Sequence, residues 1–219
     1  MGDSHDQVPD FYAGQRPAQE YEYEEAIPPH HHDYLAPALV KLLGDGRARS
    51  LLDLGCGNGS LTALLAEAGF VTTGAEASES GIALARDAYP DLNWADQDVN
   101  EPLAEDLRGA FDLVLAAEVI EHLFLPRALY HRASEALKPG GQLIITTPFH
   151  GYWKNLALAA TNKFDFHMRP GWDYGHIKFF SVKTLTQLTR EMNFEPKRWE
   201  FVGRVPALAK SMIVIAEKS

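Results

Sequence analysis

Two short stretches of this chain carry residue types that do chemistry. LLDLGCGNGSL, residues 51–61, runs from an apolar strand through a glycine turn into a helix start. Gly55, Gly57 and Gly59 permit positive φ and close approach of a ligand to the backbone, while the free N–H groups of the helix start face the same crevice. Glu76 follows 21 positions beyond Gly55, at the end of the next strand, where a carboxylate can accept hydrogen bonds from both hydroxyls of a ribose. Its plainer reading is an acid at a helix N-terminus. The second stretch, AAEVIEHL over residues 116–123, puts Glu118, Glu121 and His122 directly after the apolar run FDLVL. Acids are favoured near a helix N-terminus, so these two glutamates can simply mark a helix start. The sharper reading makes the strand exit an active site.

The elements that must hold these residues follow from the hydrophobic pattern. DYLAPALVKLLGDG reads as an amphipathic helix stopped by Gly44 and Gly46, SLLDLG as a strand, and LTALLAEAG as a helix. VTTGAE is a strand, SESGIALARDAYP a helix entered through Ser78 or Ser80, and LNWAD a weak third strand. FDLVLAAE is the most apolar strand to that point, PRALYHRASEALKPGG a helix closed by Pro139 and Gly140, and QLIITTP a fifth strand. Such alternation implies right-handed βαβ units and a parallel sheet with helices on both faces. After the helix SVKTLTQLTREMNF, the strands KRWEFVGRV and SMIVIAEKS are separated by too few residues for a helical crossover, so they should pair antiparallel. The expected fold is α/β, Rossmann-like, a seven-stranded mostly parallel sheet with an antiparallel last strand. Residues 1–32 are polar, acidic and proline-punctuated, and read as a mobile arm ahead of a domain spanning 33–219. Tyr21, Tyr23 and His30 to His32 are its ligand-reaching candidates; adjacent histidines in a loop are also ordinary solvated residues.

Composition narrows the partners. With 20 Lys and Arg against 30 Asp and Glu, the formal charge is −10, a poor match for long contacts with a phosphate backbone, so a small-molecule acceptor is favoured over nucleic acid. The single cysteine, Cys56, has no internal disulfide partner, and no signal-peptide pattern opens the sequence, which reads as a cytoplasmic protein. No apolar run approaches the roughly 20 residues of a transmembrane helix, although peripheral membrane contact stays open. Oligomeric state is not legible.

DLGCGNG with its downstream acid resembles the S-adenosylmethionine site of the class I methyltransferases, and the resemblance covers residues 33–219, antiparallel ending included. It implies that Asp53 and the turn of Gly55, Cys56, Gly57, Asn58 and Gly59 sit against the methionine and ribose portion of S-adenosyl-L-methionine. It also implies that Glu76 holds the ribose with Ala77 beside it, and that Asp98 lies near the adenine amino group with Val99 beside it. Asp96 is a rival to Asp98. The cofactor carries a sulfonium and an ammonium but no pyrophosphate, so carboxylates near it, Asp53 and Glu118 among them, are electrostatically sensible. A nicotinamide-dependent oxidoreductase is the other use of such a turn, and the antiparallel tail argues against it.

EVIEHL resembles two branches in particular: the O-methyltransferases of ubiquinone biosynthesis, and the enzymes that methylate the 3′-terminal 2′-hydroxyl of small RNAs. Both associate the acids and histidine after strand 4 with a divalent metal and bring a second histidine from the loop after strand 5, which here would be His176 in GHIKFF. Glu118, Glu121 and His122 share one face if a helix has begun, and with His176 they form a set better suited to Zn²⁺ than to Mg²⁺ or Mn²⁺. Against a metal stand plainer roles: Glu118 at the methionine end of the cofactor, Glu121 as a helix-start acid, His122 as a metal-free base with His176 nearby. The balance of these readings is against a metal.

Residues 148–180 form a long, lid-like connection. Phe149, Tyr152, Trp153, Phe164, Phe166, Trp172, Tyr174, Phe179 and Phe180 fall within it and suggest a flat or lipophilic acceptor; a small satellite core is the alternative. WKNLALAATNKF should form a short helix with Lys154 and Lys163 at its ends, and His150, His167 and His176 are its polar candidates. The expected activity is methyl transfer to a small aromatic or lipophilic acceptor, at oxygen. The rivals are a small-RNA methyltransferase, which should need a basic face, and a non-catalytic cofactor-binding module.

Overall fold

In the computed structural model, Tyr23, Pro29 and residues 32–218 except 45, 48, 169 and 172–174 are described. Seven strands form one sheet: β1 (Ser50–Leu54), β2 (Val71–Glu76), β3 (Asn93–Asp96), β4 (Phe111–Ala117), β5 (Leu137–Pro148), β6 (Phe194–Val202) and β7 (Ser211–Lys218). Their order is β3-β2-β1-β4-β5-β7-β6. The pairs from β3 to β5 are parallel, and β7 runs antiparallel to both β5 and β6. The expected α/β fold with its antiparallel last strand is therefore present.

Side chains alternate across a strand, and here both faces are covered, which explains why the central strands read as nearly continuous apolar runs. One face gathers Leu52, Leu54, Val114, Ala116, Leu143 and Ile145 under α4 (Pro126–Ala136) and α7 (Val182–Glu191). The other gathers Leu51, Leu113, Leu115 and Ile144 under α1 (His32–Leu43) and α2 (Ser60–Glu67). α3 (Glu79–Ala88) follows β2 and takes Ser78 as its N-cap, whose side chain accepts the Gly81 N–H at 3.2 Å. Ser181 and Thr184 form a capping box at α7.

Three boundaries differ from the pattern. α4 ends at Ala136, and LKPGG opens β5 instead: Pro139 disfavours a helical Lys138, and Leu137 already pairs with Phe111 ahead of a register shift. β6 begins at Phe194, because Asn193 takes a left-handed φ of 59° that ends the helix and turns the chain straight into the strand. The exit of β4 is a 3₁₀ turn over Ile120–His122, and α4 starts only at Pro126, so Glu118, Glu121 and His122 do not share an α-helical face. The long connection holds α5 (Tyr152–Ala160) and α6 (Phe164–Met168). His32, assigned to the arm, is the buried first residue of α1; Tyr21, His30 and His31 lie outside the described residues. Among the described residues, no helix is long and apolar enough to cross a membrane.

Candidate active site

The carboxyl ends of β1, β2 and β4 open on one cavity of about 1280 Å³, walled further by the connection after β5 and by the turn between β6 and β7. A single small-ligand pocket spans roughly 300–1,000 Å³, so this volume suits two ligands side by side.

The glycine turn builds one half. Gly55 and Gly57 line the cavity with φ of 84° and 56°. A side chain at Gly57 would place its Cβ 2.7 Å from the Tyr23 hydroxyl, so this arm residue lies directly on the turn. Gly59 does not face the cavity; its φ is 77°, and a Cβ there would strike Trp94 at 2.5 Å, so it serves close packing of α2 against β3 and α3. Asn58 is buried and its side-chain oxygen accepts from the Ser60 hydroxyl at 2.8 Å, tying turn to helix. Burial, then the charges of Asp53 and Glu76, push the Cys56 thiol well up, so Cys56 is a protonated wall rather than a nucleophile.

Glu76 ends β2 and lines the cavity. Its Oε2 accepts the Gly57 N–H at 2.7 Å and its Oε1 accepts the N–H groups of Ala77 and Ser78, both at 2.9 Å. These donors fix the carboxylate while desolvation raises its pKa. Asp98 and Val99 also line the cavity, and Asp98 Oδ1 is held by the backbone and side chain of Asn100 at 2.8 and 2.9 Å. Asp96 is turned outward into a surface ion pair with Arg86 at 2.9 Å. That placement separates the two acids of DQD. Asp53 is 1% exposed and lies beneath the turn, off the cavity wall. Its Oδ2 accepts from the Thr62 hydroxyl at 2.6 Å, its Oδ1 has no partner, and burial pushes its pKa up to about 7.

The exit of β4 builds the other half. Glu118 adopts φ 56°, a left-handed conformation costing a non-glycine residue about 1–2 kcal/mol, of the kind that collects at functional sites. It is held there by its N–H to the Thr146 carbonyl at 3.1 Å, and its carboxylate accepts from the hydroxyls of Thr146 at 2.8 Å and Ser211 at 3.3 Å. Ser211 is in turn 3.3 Å from the Tyr34 hydroxyl. Desolvation raises the Glu118 pKa to about 7. Glu121 is fully buried and accepts from the Thr147 hydroxyl at 3.0 Å through one oxygen only. Burial and the neighbouring Glu118 push it well above the carboxylate range.

His176 does come down to meet these residues. The Glu121 carbonyl accepts the N–H groups of Ile177 and Lys178, both at 2.9 Å, which pins the HIKFF segment to the β4 exit. The rings of His122 and His176 stand edge to face with centroids 4.8 Å apart. Ligand atoms of Glu121, His122 and His176 lie within 4.8 Å of one another, and Glu118 does not join them. The four-residue set expected from the sequence is thus a triplet plus a separately bonded Glu118.

The aromatic residues of the connection are placed differently from expectation. Trp172 and Tyr174 lie outside the described residues, and none of the other seven lines the cavity. Tyr152, Trp153, Phe164, Phe166 and Phe179 face solvent, Phe180 joins the core, and Phe149 meets Phe201 edge to face with centroids 5.1 Å apart. The cavity is lined instead by Lys154, Leu158, Lys163, His167 and Met168. His150 is off the wall, its side chain 3.3 Å from Asn155, while burial lowers its pKa to about 4. Sequence reading also missed Gln97, Tyr34 and Ser211. Gln97 is buried and bridges the loop after β3, donating to the Asp98 carbonyl at 2.7 Å and accepting the Ala104 N–H at 2.9 Å. A buried-type polar residue between two acids is the weak signal that was available.

Comparison with known proteins bears on this site as a whole. A family model described as a methyltransferase domain matches residues 29–197. Among curated relatives, the ubiquinone biosynthesis O-methyltransferase of Caulobacter vibrioides is 37% identical over 132 residues, covering 56% of this chain and 52% of that protein. The Cereibacter sphaeroides protein of the same name is 34% identical over 151 residues, 67% of this chain and 60% of that one. This chain therefore spans little more than half the length of these relatives. Among solved structures, magnesium protoporphyrin IX methyltransferase from Synechocystis PCC 6803 with bound SAH superimposes with a TM-score of 0.66 at 19% identity, covering 86% of this chain and 84% of that one. An S-adenosylmethionine-dependent methyltransferase from Mesorhizobium loti superimposes with a TM-score of 0.62 at 19% identity, covering 83% of this chain and 96% of that one. The sheet order, the glycine turn with its downstream carboxylate and the match over 29–197 agree: the chain belongs to the methyltransferase-domain family.

Proposed function

We propose that this protein moves a methyl group from S-adenosylmethionine to a small lipophilic or aromatic acceptor, at oxygen. The observation that carries the reading is one cavity holding a fixed ribose-competent carboxylate, Glu76, and the imidazoles of His122 and His176. The donor set fits S-adenosylmethionine: Glu76 suits the ribose hydroxyls and Asp98 the adenine amino group. The cations on the wall, Lys154, Lys163, Arg204 and Lys210, come from the opposite half of the strand order, after β5 and between β6 and β7. When bound, S-adenosylmethionine supplies an electrophilic methyl group on a sulfonium.

The chain's own residues would then hold the acceptor oxygen in line and keep water out, and orientation of this kind supplies on the order of 7–11 kcal/mol. Val119, Leu123, Leu158 and Met168 give that part of the wall its apolar character. In this reading His122 and His176, whose rings meet edge to face in the cavity, take the proton of an acceptor hydroxyl. With deuterated-methyl S-adenosylmethionine and a panel of catechols, mass spectrometry should find the label on oxygen. His122→Ala and His176→Ala should slow transfer by roughly 10²–10⁴ while leaving S-adenosylhomocysteine binding intact. Rates unchanged in both variants would remove the histidines from the reaction.

Glu121, His122 and His176 also fit a divalent cation, favoured by the buried Glu121 oxygen that has no partner. The one carboxylate and two imidazoles would hold it, and it would lower the pKa of an acceptor hydroxyl. The expected result is one Zn²⁺ or Mn²⁺ bound per chain by calorimetry, abolished by Glu121→Ala. Full activity after exhaustive chelation, with no metal bound, would leave the histidines as metal-free bases.

A further inference from the structure

We infer that the acceptor carries an oxyanion, bound by Lys154 and Arg204 at the end of the cavity away from Glu76. The inference rests on the methyltransferase reading and names the substrate class of the same site.

Lys154 sits in α5, which the sequence reads as a short helix with Lys154 and Lys163 at its ends, and it is only 8% exposed and lines the cavity. Its ammonium donates to the Lys210 carbonyl at 3.2 Å, which anchors it to the turn between β6 and β7. Arg204 and Lys210 line the cavity from that turn, and Lys163 from the segment between α5 and α6. The 3₁₀ turn Pro206–Leu208 packs on α5 and so holds the two basic segments together. Arg204, Lys163 and Lys210 are exposed, the last over the Tyr34 ring at 5.0 Å, whereas Lys154 is buried and forms no ion pair with a described carboxylate, although the chain carries ten more acids than bases. Burying the Lys154 ammonium without an ion-pair partner is costly, and an incoming anion would offset that cost. Desolvation lowers the Lys154 pKa to about 8, opposed by Glu118 and reinforced by Arg204, which also acts with Lys154 on His167. Burial is the main cause of these shifts, and the mutual repulsion of Lys154 and Arg204 adds to it. Glu118 faces the cluster but is already bonded to Thr146 and Ser211. Lys154, Arg204, Glu118 and His122 line the same cavity, so an acceptor anchored by its anion would present its other end to the β4 exit.

The test uses the full chain saturated with S-adenosylhomocysteine, titrated calorimetrically with caffeate, caffeate methyl ester and inorganic phosphate. Caffeate should bind at least tenfold tighter than its neutral ester, weaken with added salt, and lose the preference in Lys154→Met and in Arg204→Leu, with melting curves confirming that both variants fold. Displacement of caffeate by millimolar phosphate would assign the pocket to phosphate-bearing acceptors as readily as carboxylates, and no displacement would restrict it to carboxylates; either supports an oxyanion site. Equal binding of acid and ester, an acid preference that survives both substitutions, or no binding of any anion would overturn it. Saturation with S-adenosylhomocysteine is measured first, so failure at that step condemns the methyltransferase reading, and failure only afterwards condemns the oxyanion site alone.

Discussion

Glu76→Ala should lower the affinity for S-adenosylhomocysteine roughly a hundredfold, with no binding gained for NAD. Two charge-assisted hydrogen bonds to ribose hydroxyls contribute about 1.5–3 kcal/mol each, and partial resolvation of the freed hydroxyls brings the net loss to about 3 kcal/mol. The geometry sharpens the expectation, because Gly57, Ala77 and Ser78 already hold the carboxylate in place through their N–H groups. A bound ribose would therefore meet a pre-positioned acceptor rather than order a free side chain. Glu76→Gln distinguishes the charge from the shape: its amide presents an N–H₂ to backbone donors on one side, so it should bind weakly too. A Kd within threefold of the parent protein in both variants would remove Glu76 from the site.

Asp53→Asn should raise the stability of the ligand-free protein above pH 7 and leave it little changed below pH 4. The sign follows from the buried carboxyl, whose pKa rises from 3.8 to about 7 on folding. Folding holds its proton, so the contribution is fully favourable below pH 4, where both states are protonated. It is lost as pH rises through the interval from 4 to 7, because only the unfolded chain ionises freely there. Three pH units correspond to an upper bound of about 4 kcal/mol. Asparagine keeps the acceptor for the Thr62 hydroxyl and removes the ionisation, so the melting temperature of the variant should fall less with pH than that of the parent. The same change should weaken S-adenosylhomocysteine binding if the unpartnered Oδ1 serves the bound ligand through the turn above it. Opposite signs on stability and binding are the signature of a functional acid; parallel loss of both would make Asp53 structural.

The sequence made the sheet legible because its central strands are buried on both faces and its helices on one, so hydrophobic period and glycine turns mark nearly every element. Where local signals compete it was less legible. LKPGG reads as a helix end because Pro and Gly close helices, yet Leu137 pairs with Phe111 and the segment becomes strand. Glu118, Glu121 and His122 have helical spacing, but Pro126 delays the helix, and the 3₁₀ turn separates Glu118 from the other two. Their meeting with His176 depends on the Glu121 carbonyl binding Ile177 and Lys178, a contact across some 55 positions that no local pattern announces. Aromatic enrichment in 148–180 pointed to an acceptor wall, but apolar content does not say which side of a short helix faces inward. α5 turns Tyr152 and Trp153 to solvent and Lys154 into the cavity. That reversal moves the acceptor argument from flat rings to charge.

The most direct test of the central claim is a side-by-side calorimetric titration of the full chain with S-adenosylhomocysteine and with NAD. One S-adenosylhomocysteine should bind per chain at micromolar Kd or tighter, displaced by S-adenosylmethionine, with NAD silent. Saturable NAD binding with no response to either sulfur ligand would contradict the account.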